Sequence, residues 1–121
     1  MKIRKILGGG MRQSGYLAAC GLYALENNIQ KLHQDHVRAR EISNLLRKLY
    51  FVEEVYPVET NIIIADLAAD APSAEQLVSK LREKSIHIGA FGDKRIRIVT
   101  HLDVNAQAAD NLITALSNYL E

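Results

Sequence analysis

The strongest periodicity in the chain runs from residue 29 to residue 49. Ile29, Leu32, His36, Ala39, Ile42, Leu46 and Leu49 recur three and four apart, which places them on one face of a helix. Gln30, Lys31, Gln34, Arg38, Arg40, Glu41 and Lys48 fall mostly off that face. Upstream, from Met11, the chain also reads as helix, with Leu17, Ala18, Gly21, Leu22, Ala24 and Leu25 as a small-residue face suited to tight packing. Glu26-Asn27-Asn28 separates the two. Asn27 is expected to close the first helix in a left-handed conformation, and Asn28 to cap the second. Lys2 to Leu7 carries half of an amphipathic pattern that Gly8-Gly9-Gly10 stops.

Beyond Leu49 the period shortens. Tyr50 to Pro57 holds a short edge strand that Pro57 ends. Asn61-Ile-Ile-Ile-Ala-Asp66 is a β-branched run between polar residues and predicts a central strand. Ala68 to Ser73 is a loop, and Ser73-Ala-Glu-Gln76 has capping-box spacing before a helix with Leu77, Val78 and Leu81 inward. Ile86 to Ala90 and Arg95 to Val99 predict a hairpin around Gly92-Asp93-Lys94. Asp103 or Asn105 caps a last helix carrying Leu112, Ile113, Leu116 and Leu120. The order α, α, β, β, α, β, β, α predicts an α+β two-layer domain, a small antiparallel or mixed sheet with helices on one face. Ile96 and Ile98 would face those helices, leaving Arg95 and Arg97 together on the open face.

Composition narrows the function classes. The 121 residues are 48% hydrophobic and 24% charged, with two Pro and seven Gly, which excludes collagen-like, low-complexity and largely disordered chains. A formal net charge of +1, few aromatics and no Trp speak against nucleic acid as a partner. No apolar run approaches the ~20 residues that cross a bilayer, so no membrane partner is expected. The single cysteine, Cys20, excludes an intrachain disulfide and fits a reducing, cytoplasmic location.

Few residues carry a chemical signal on their own. His33 and His36 are three apart on a helix, with His87 and His101 far away in sequence; two ligands do not make a zinc site, so no metal is expected. Cys20, on a small-residue helix face, is expected to be buried and inert. Gly8-Gly-Gly-Met-Arg12 has two readings. It is either a flexible turn or a glycine-rich helix start whose free N–H groups attract a phosphate, with Lys5 and Arg12 supplying charge. Arg97, followed by Thr100-His-Leu-Asp103, is either a carboxylate or phosphate contact or a solvated strand arginine.

Taken together, several segments resemble one family. Arg4-Lys5-Ile-Leu-Gly-Gly-Gly-Met-Arg-Gln-Ser-Gly-Tyr-Leu-Ala-Ala19 is similar to a stretch of the low-specificity L-threonine aldolases, members of the beta-eliminating lyase family. Gln34-Asp35-His36, Thr60-Asn61 and Arg97-Ile-Val-Thr-His-Leu-Asp-Val104 follow in the same order and at similar spacing. The resemblance implies the C-terminal small domain of a fold-type-I pyridoxal-phosphate enzyme. Residues 1–25 would then be the end of the large domain and residues 26–121 the small domain. It implies Arg97 as a bidentate partner of the substrate α-carboxylate, with Lys5 and Arg12 near the cofactor phosphate of the same or a neighbouring subunit. It implies no catalytic base here. The Schiff-base lysine of such enzymes sits in a Ser-Lys-Gly-Leu-Gly context that would precede Met1, and Ser79-Lys80-Leu81 does not reproduce it. The chain alone is therefore expected to be inactive and to hold no cofactor covalently. Its expected partners are the missing large domain or further copies of itself, as in homotetrameric aldolases, and in the parent enzyme a small amino acid. The competing expectation is a stand-alone ferredoxin-like ligand-binding or dimerisation module, supported by topology alone.

Overall fold

The computed structural model describes residues 2–119. The chain divides into two compact units, Met1–Lys31 and Leu32–Glu121, each described by itself.

The first unit is helical. Helix α1 (Lys2–Ile6) ends in a glycine cap: Gly8 is left-handed at φ 80°, the Gly8 N–H donates to Lys5 O at 3.1 Å, and the Gly9 N–H donates to Arg4 O at 2.7 Å. A Cβ on Gly9 would lie 2.9 Å from that same carbonyl, so the second glycine is required by close approach. The glycines thus close one helix rather than open the next. Helix α2 (Gly15–Asn27) begins well beyond them and not at Met11, because Gln13 turns the chain at φ 50° just before it. Asn27 does not adopt the left-handed conformation expected of it. It stays helical and its side-chain amide donates back to Tyr23 O at 2.9 Å, while Asn28 ends the helix at φ −112° with its N–H on Ala24 O. No residue of α2 is buried, and Cys20 is exposed, contrary to expectation. A single turn of 3₁₀ helix, Ile29–Lys31, ends the unit.

The second unit is a two-layer α+β domain. Helix α3 (Leu32–Leu46) buries Asp35, Ala39, Ile42, Ser43 and Leu46. Ala39, Ile42 and Leu46 are buried as expected and Leu49 packs half-buried on the core, but the stripe's N-terminal end differs: Ile29 and Leu32 are exposed, and Asp35, not His36, is buried in the first turn. Strands β1 (Val52–Val55), β2 (Ile62–Leu67), β3 (Gly89–Ala90) and β4 (Arg95–Val99) form one antiparallel sheet in the order β1-β2-β4-β3. Alternation along β2 and β4 buries Ile63, Ala65, Leu67, Ile96 and Ile98 against Ile42 and Leu46 of α3, Leu77 and Leu81 of α4 (Ala74–Glu83), and Leu112 and Leu116 of α5 (Ala106–Ser117). Each such Ile or Leu side chain contributes about 1.5–3 kcal/mol over leaving it in water. Ser73 caps α4 in a complete capping box with Gln76, and Asn105, not Asp103, caps α5. The hairpin is shorter than its pattern suggests. After α4, Ser85 turns the chain at φ 60°, and Ile86 and Ile88 pack half-buried on the core without entering the ladder. Leu120, expected on α5, lies outside the described residues.

Candidate functional site

The face of the sheet turned away from the helices carries the polar chemistry of this unit. Period-two alternation puts Ile62, Ile64 and Asp66 of β2 on it, registered with Val99, Arg97 and Arg95 of β4. The two arginines are two residues apart, yet their surroundings differ completely. Arg95 is engaged. Its Nε donates to Asp66 Oδ1 at 2.6 Å and its Nη2 to Asp66 Oδ2 at 2.7 Å, a bidentate fork on the carboxylate. The same Nη2 donates to the Tyr56 hydroxyl at 2.7 Å, the hydroxyl donates to Asp66 Oδ2 at 3.1 Å, and the guanidinium sits 5.0 Å from the Tyr56 ring centre. The Arg95 hydrogen bonds hold the Asp66 carboxyl below its ordinary range, and hydrogen bonding to Asp66 raises both the Tyr56 hydroxyl and the Arg95 guanidinium.

Arg97 is free. It is exposed, and among the described residues its guanidinium has no hydrogen-bond or ion-pair partner. Its neighbours across the ladder are Ile64 on β2 and Gly89 on β3, neither of which offers a charge or a hydrogen-bonding side chain. A flat fork of donors on an open face, unoccupied by its own protein, is suited to a carboxylate from outside.

Just beyond β4, Thr100 gathers the other segments that stood out in the sequence. Its N–H donates to Asn61 O at 3.0 Å and its carbonyl accepts from Asn61 Nδ2 at 2.7 Å, so Asn61 closes the β2–β4 ladder with both main chain and side chain. The hydroxyl of Thr100, in a residue only 1% exposed, donates to the main-chain oxygen of Asp35 at 2.8 Å. Asp35, itself buried, accepts from Arg38 at 3.4 Å. Asp35, Asn61 and Thr100, one from each of three motif segments, are thereby one hydrogen-bonded junction at the end of the strand that carries Arg97. Sequence spacing contained no signal for that junction, nor for Tyr56 and Asp66 around Arg95; the only hint was that Asp66 and Arg95 sit at opposite ends of antiparallel runs.

In the first unit, Lys5 lies on α1 and Arg12 in the turn before α2, both exposed and without an ion-pair partner among the described residues. The glycine amides expected to cradle a phosphate are partly used: those of Gly8 and Gly9 cap α1. Among the described residues, no group of three or more His, Cys, Asp or Glu stands close enough to hold a metal ion. His33 and His36 lie on α3; His101 instead contacts Asp103, at 3.7 Å. No helix among the described residues is long and apolar enough to cross a membrane.

Comparison with known proteins adds the context. Residues 1–70 match the family model described as Beta-eliminating lyase. The chain is 39% identical over 105 residues to the probable low-specificity L-threonine aldolase 2 of Arabidopsis thaliana, covering 85% of this chain and 30% of that protein. It is 38% identical over 104 residues to the low specificity L-threonine aldolase of Escherichia coli K12, covering 86% of this chain and 29% of that one. The chain thus spans under a third of the curated relatives it matches. Among solved structures, a decarboxylase from Sulfurospirillum multivorans superposes with a TM-score of 0.69 at 18% identity, over 99% of this chain and 36% of the other. At that identity the likeness concerns the fold, which is the α+β small-domain architecture of fold-type-I enzymes.

Proposed function

We propose that this chain, which belongs to the beta-eliminating lyase family, is the C-terminal part of a pyridoxal-phosphate threonine aldolase in which Arg97 binds the substrate carboxylate. The parent reaction would cleave L-threonine or L-allo-threonine to glycine and acetaldehyde. The observation that carries the reading is the unpartnered Arg97 guanidinium on the open sheet face, inside the Arg97–Val104 segment that resembles the aldolases. The relatives at 38–39% identity supply the substrate class. Within this reading, residues 1–25 are the end of the large domain and residues 26–121 the small domain.

The residues present fit the cofactor only at its phosphate. Lys5 and Arg12 are exposed cations without partners of their own among the described residues, and so are suited to a dianion. The 121 residues contain no Ser-Lys-Gly-Leu-Gly lysine for the ring. When bound in the parent enzyme, the cofactor supplies the electron sink for breaking the Cα–Cβ bond. Arg97 fixes the α-carboxylate by two parallel N–H···O bonds and so sets which substituent at Cα is held in place for cleavage. The Thr100 junction holds the end of β4, and with it the base of Arg97. No residue of this chain takes the proton from the β-hydroxyl in this reading.

The test is a chimera in which this chain replaces the matched 29% of the Escherichia coli relative. Threonine cleavage by the chimera is the expected result. Arg97→Ala should then raise KM for threonine about tenfold or more while cofactor absorbance is retained, as loss of a charge-assisted contact predicts. An active chimera whose KM ignores Arg97→Ala overturns the assignment.

A further inference from the structure

Two guanidiniums share the open face, and only Arg97 is without any partner among the described residues. Beside them lies a hollow of about 310 Å³ lined by Tyr56, Pro57, Ile62 and Ile64, with Glu59 and Arg95 among its polar residues. Ile64 is the cross-strand neighbour of Arg97, so the hollow adjoins the place where a carboxylate on Arg97 would sit. An arginine lining such a hollow would ordinarily make it a second anion site. Here Asp66 holds the Nε–Nη2 edge of the Arg95 fork and Tyr56 takes the other Nη2 hydrogen, so that edge is closed to a second carboxylate. Glu54 stands opposite Asp66 on β1, and Glu59 lines the hollow itself. Three acids, Asp66, Glu54 and Glu59, thus surround Arg95, and the rest of the lining, Pro57, Ile62, Ile64, Thr60 and the Tyr56 ring, carries no charge.

We infer that Asp66 is a specificity-determining residue: by occupying Arg95 it makes the hollow beside Arg97 accept an uncharged group and reject a second carboxylate. The inference rests on the reading of Arg97 as a carboxylate ligand. On that reading the favoured ligands are monocarboxylates with a small neutral substituent, and dicarboxylates of similar length are discriminated against by unpaired desolvation and by the acids at the rim. Freeing Arg95 would reverse the preference, because two forks two residues apart along one strand would then face the same side of the sheet.

The experiment titrates the 121-residue chain with butyrate and with succinate at constant ionic strength, following the Nε–H resonances of Arg95 and Arg97 by NMR. For the unaltered chain both anions should shift Arg97 and leave Arg95 unmoved, with succinate binding no more tightly than butyrate. In Asp66→Asn, succinate should bind about tenfold more tightly than butyrate and shift both arginines, the gain expected of one added charge-assisted hydrogen-bonded contact. Arg95→Gln in the same background should remove the gain. A well-folded Asp66→Asn chain with unchanged preference overturns the inference. So does an unaltered chain in which succinate shifts Arg95 or binds tenfold tighter, and this arm needs no variant to fold. Titration that fails to move Arg97 at all, with either anion, overturns instead the reading of Arg97 on which the inference stands.

Discussion

At the scale of single residues, the two arginines of β4 illustrate how identical chemistry diverges with its surroundings. Arg97→Ala removes no partner seen in the structure and should change the stability of the chain by less than ~0.5 kcal/mol, as at ordinary surface positions. A denaturant midpoint measures it. Asp66 behaves oppositely. Its carboxyl is held below the ordinary value of 3.8 chiefly by the Arg95 hydrogen bonds, so the folded state binds the proton less readily than the unfolded chain. That contribution is fully present above pH 3.8 and is lost as pH falls through the lower folded value. The Arg95 and Asp66 side chains are 39% and 24% exposed, which keeps it modest. Asp66→Asn should therefore flatten the decline of stability with acid below pH 4, with little difference in slope near neutrality; parallel acid titrations of the melting temperature decide it. Thr100→Val leaves the Asp35 carbonyl without its buried donor and should cost about 1–3 kcal/mol, whereas Thr100→Ser keeps the hydrogen bond.

Elements were legible in the sequence where one local rule dominated. The capping box at Ser73, the alternation of β4 and the β-branched run of β2 are each decided by nearest neighbours, and each element stands where its pattern predicts. Ser73→Ala should accordingly cost about 1 kcal/mol, the usual loss for a helix cap, read as a shift in the urea midpoint. Misreadings arose where tertiary demands compete with local ones. The first turn of α3 buries Asp35 instead of His36 because a carbonyl there must meet the Thr100 hydroxyl, a contact 65 residues away in sequence. Likewise, Ile86 and Ile88 alternate like a strand but are taken up by the core. The motif and strand face of Arg97 mark it as a candidate, but its free guanidinium depends on Asp66 pairing with Arg95 instead, a cross-strand choice that local sequence does not encode.

For the whole molecule, the distribution of apolar surface sets what the isolated chain should do. The sheet domain buries a continuous core of Ile and Leu, so Leu32–Glu121 has the means to fold by itself. Helix α2 buries nothing, and Leu17, Leu22 and Leu25 are each about 60% exposed. Clustered apolar side chains of this kind favour association. In an aldolase the proposed cover is the large domain; for the 121 residues alone it is another copy. Sedimentation of the purified chain should therefore give a mass above the 13.5 kDa of one chain, increasing with concentration. Leu17→Glu combined with Leu22→Glu should return it to a monomer with unchanged melting of the sheet domain, because neither residue belongs to its core. The same preparation, given pyridoxal phosphate and L-threonine, is expected to release no acetaldehyde beyond the rate of free cofactor. A monomer at all concentrations would remove the argument from α2. Acetaldehyde above the free-cofactor rate would mean that these residues hold the cofactor without the Ser-Lys-Gly-Leu-Gly lysine, and would overturn their assignment as the non-catalytic end of the enzyme.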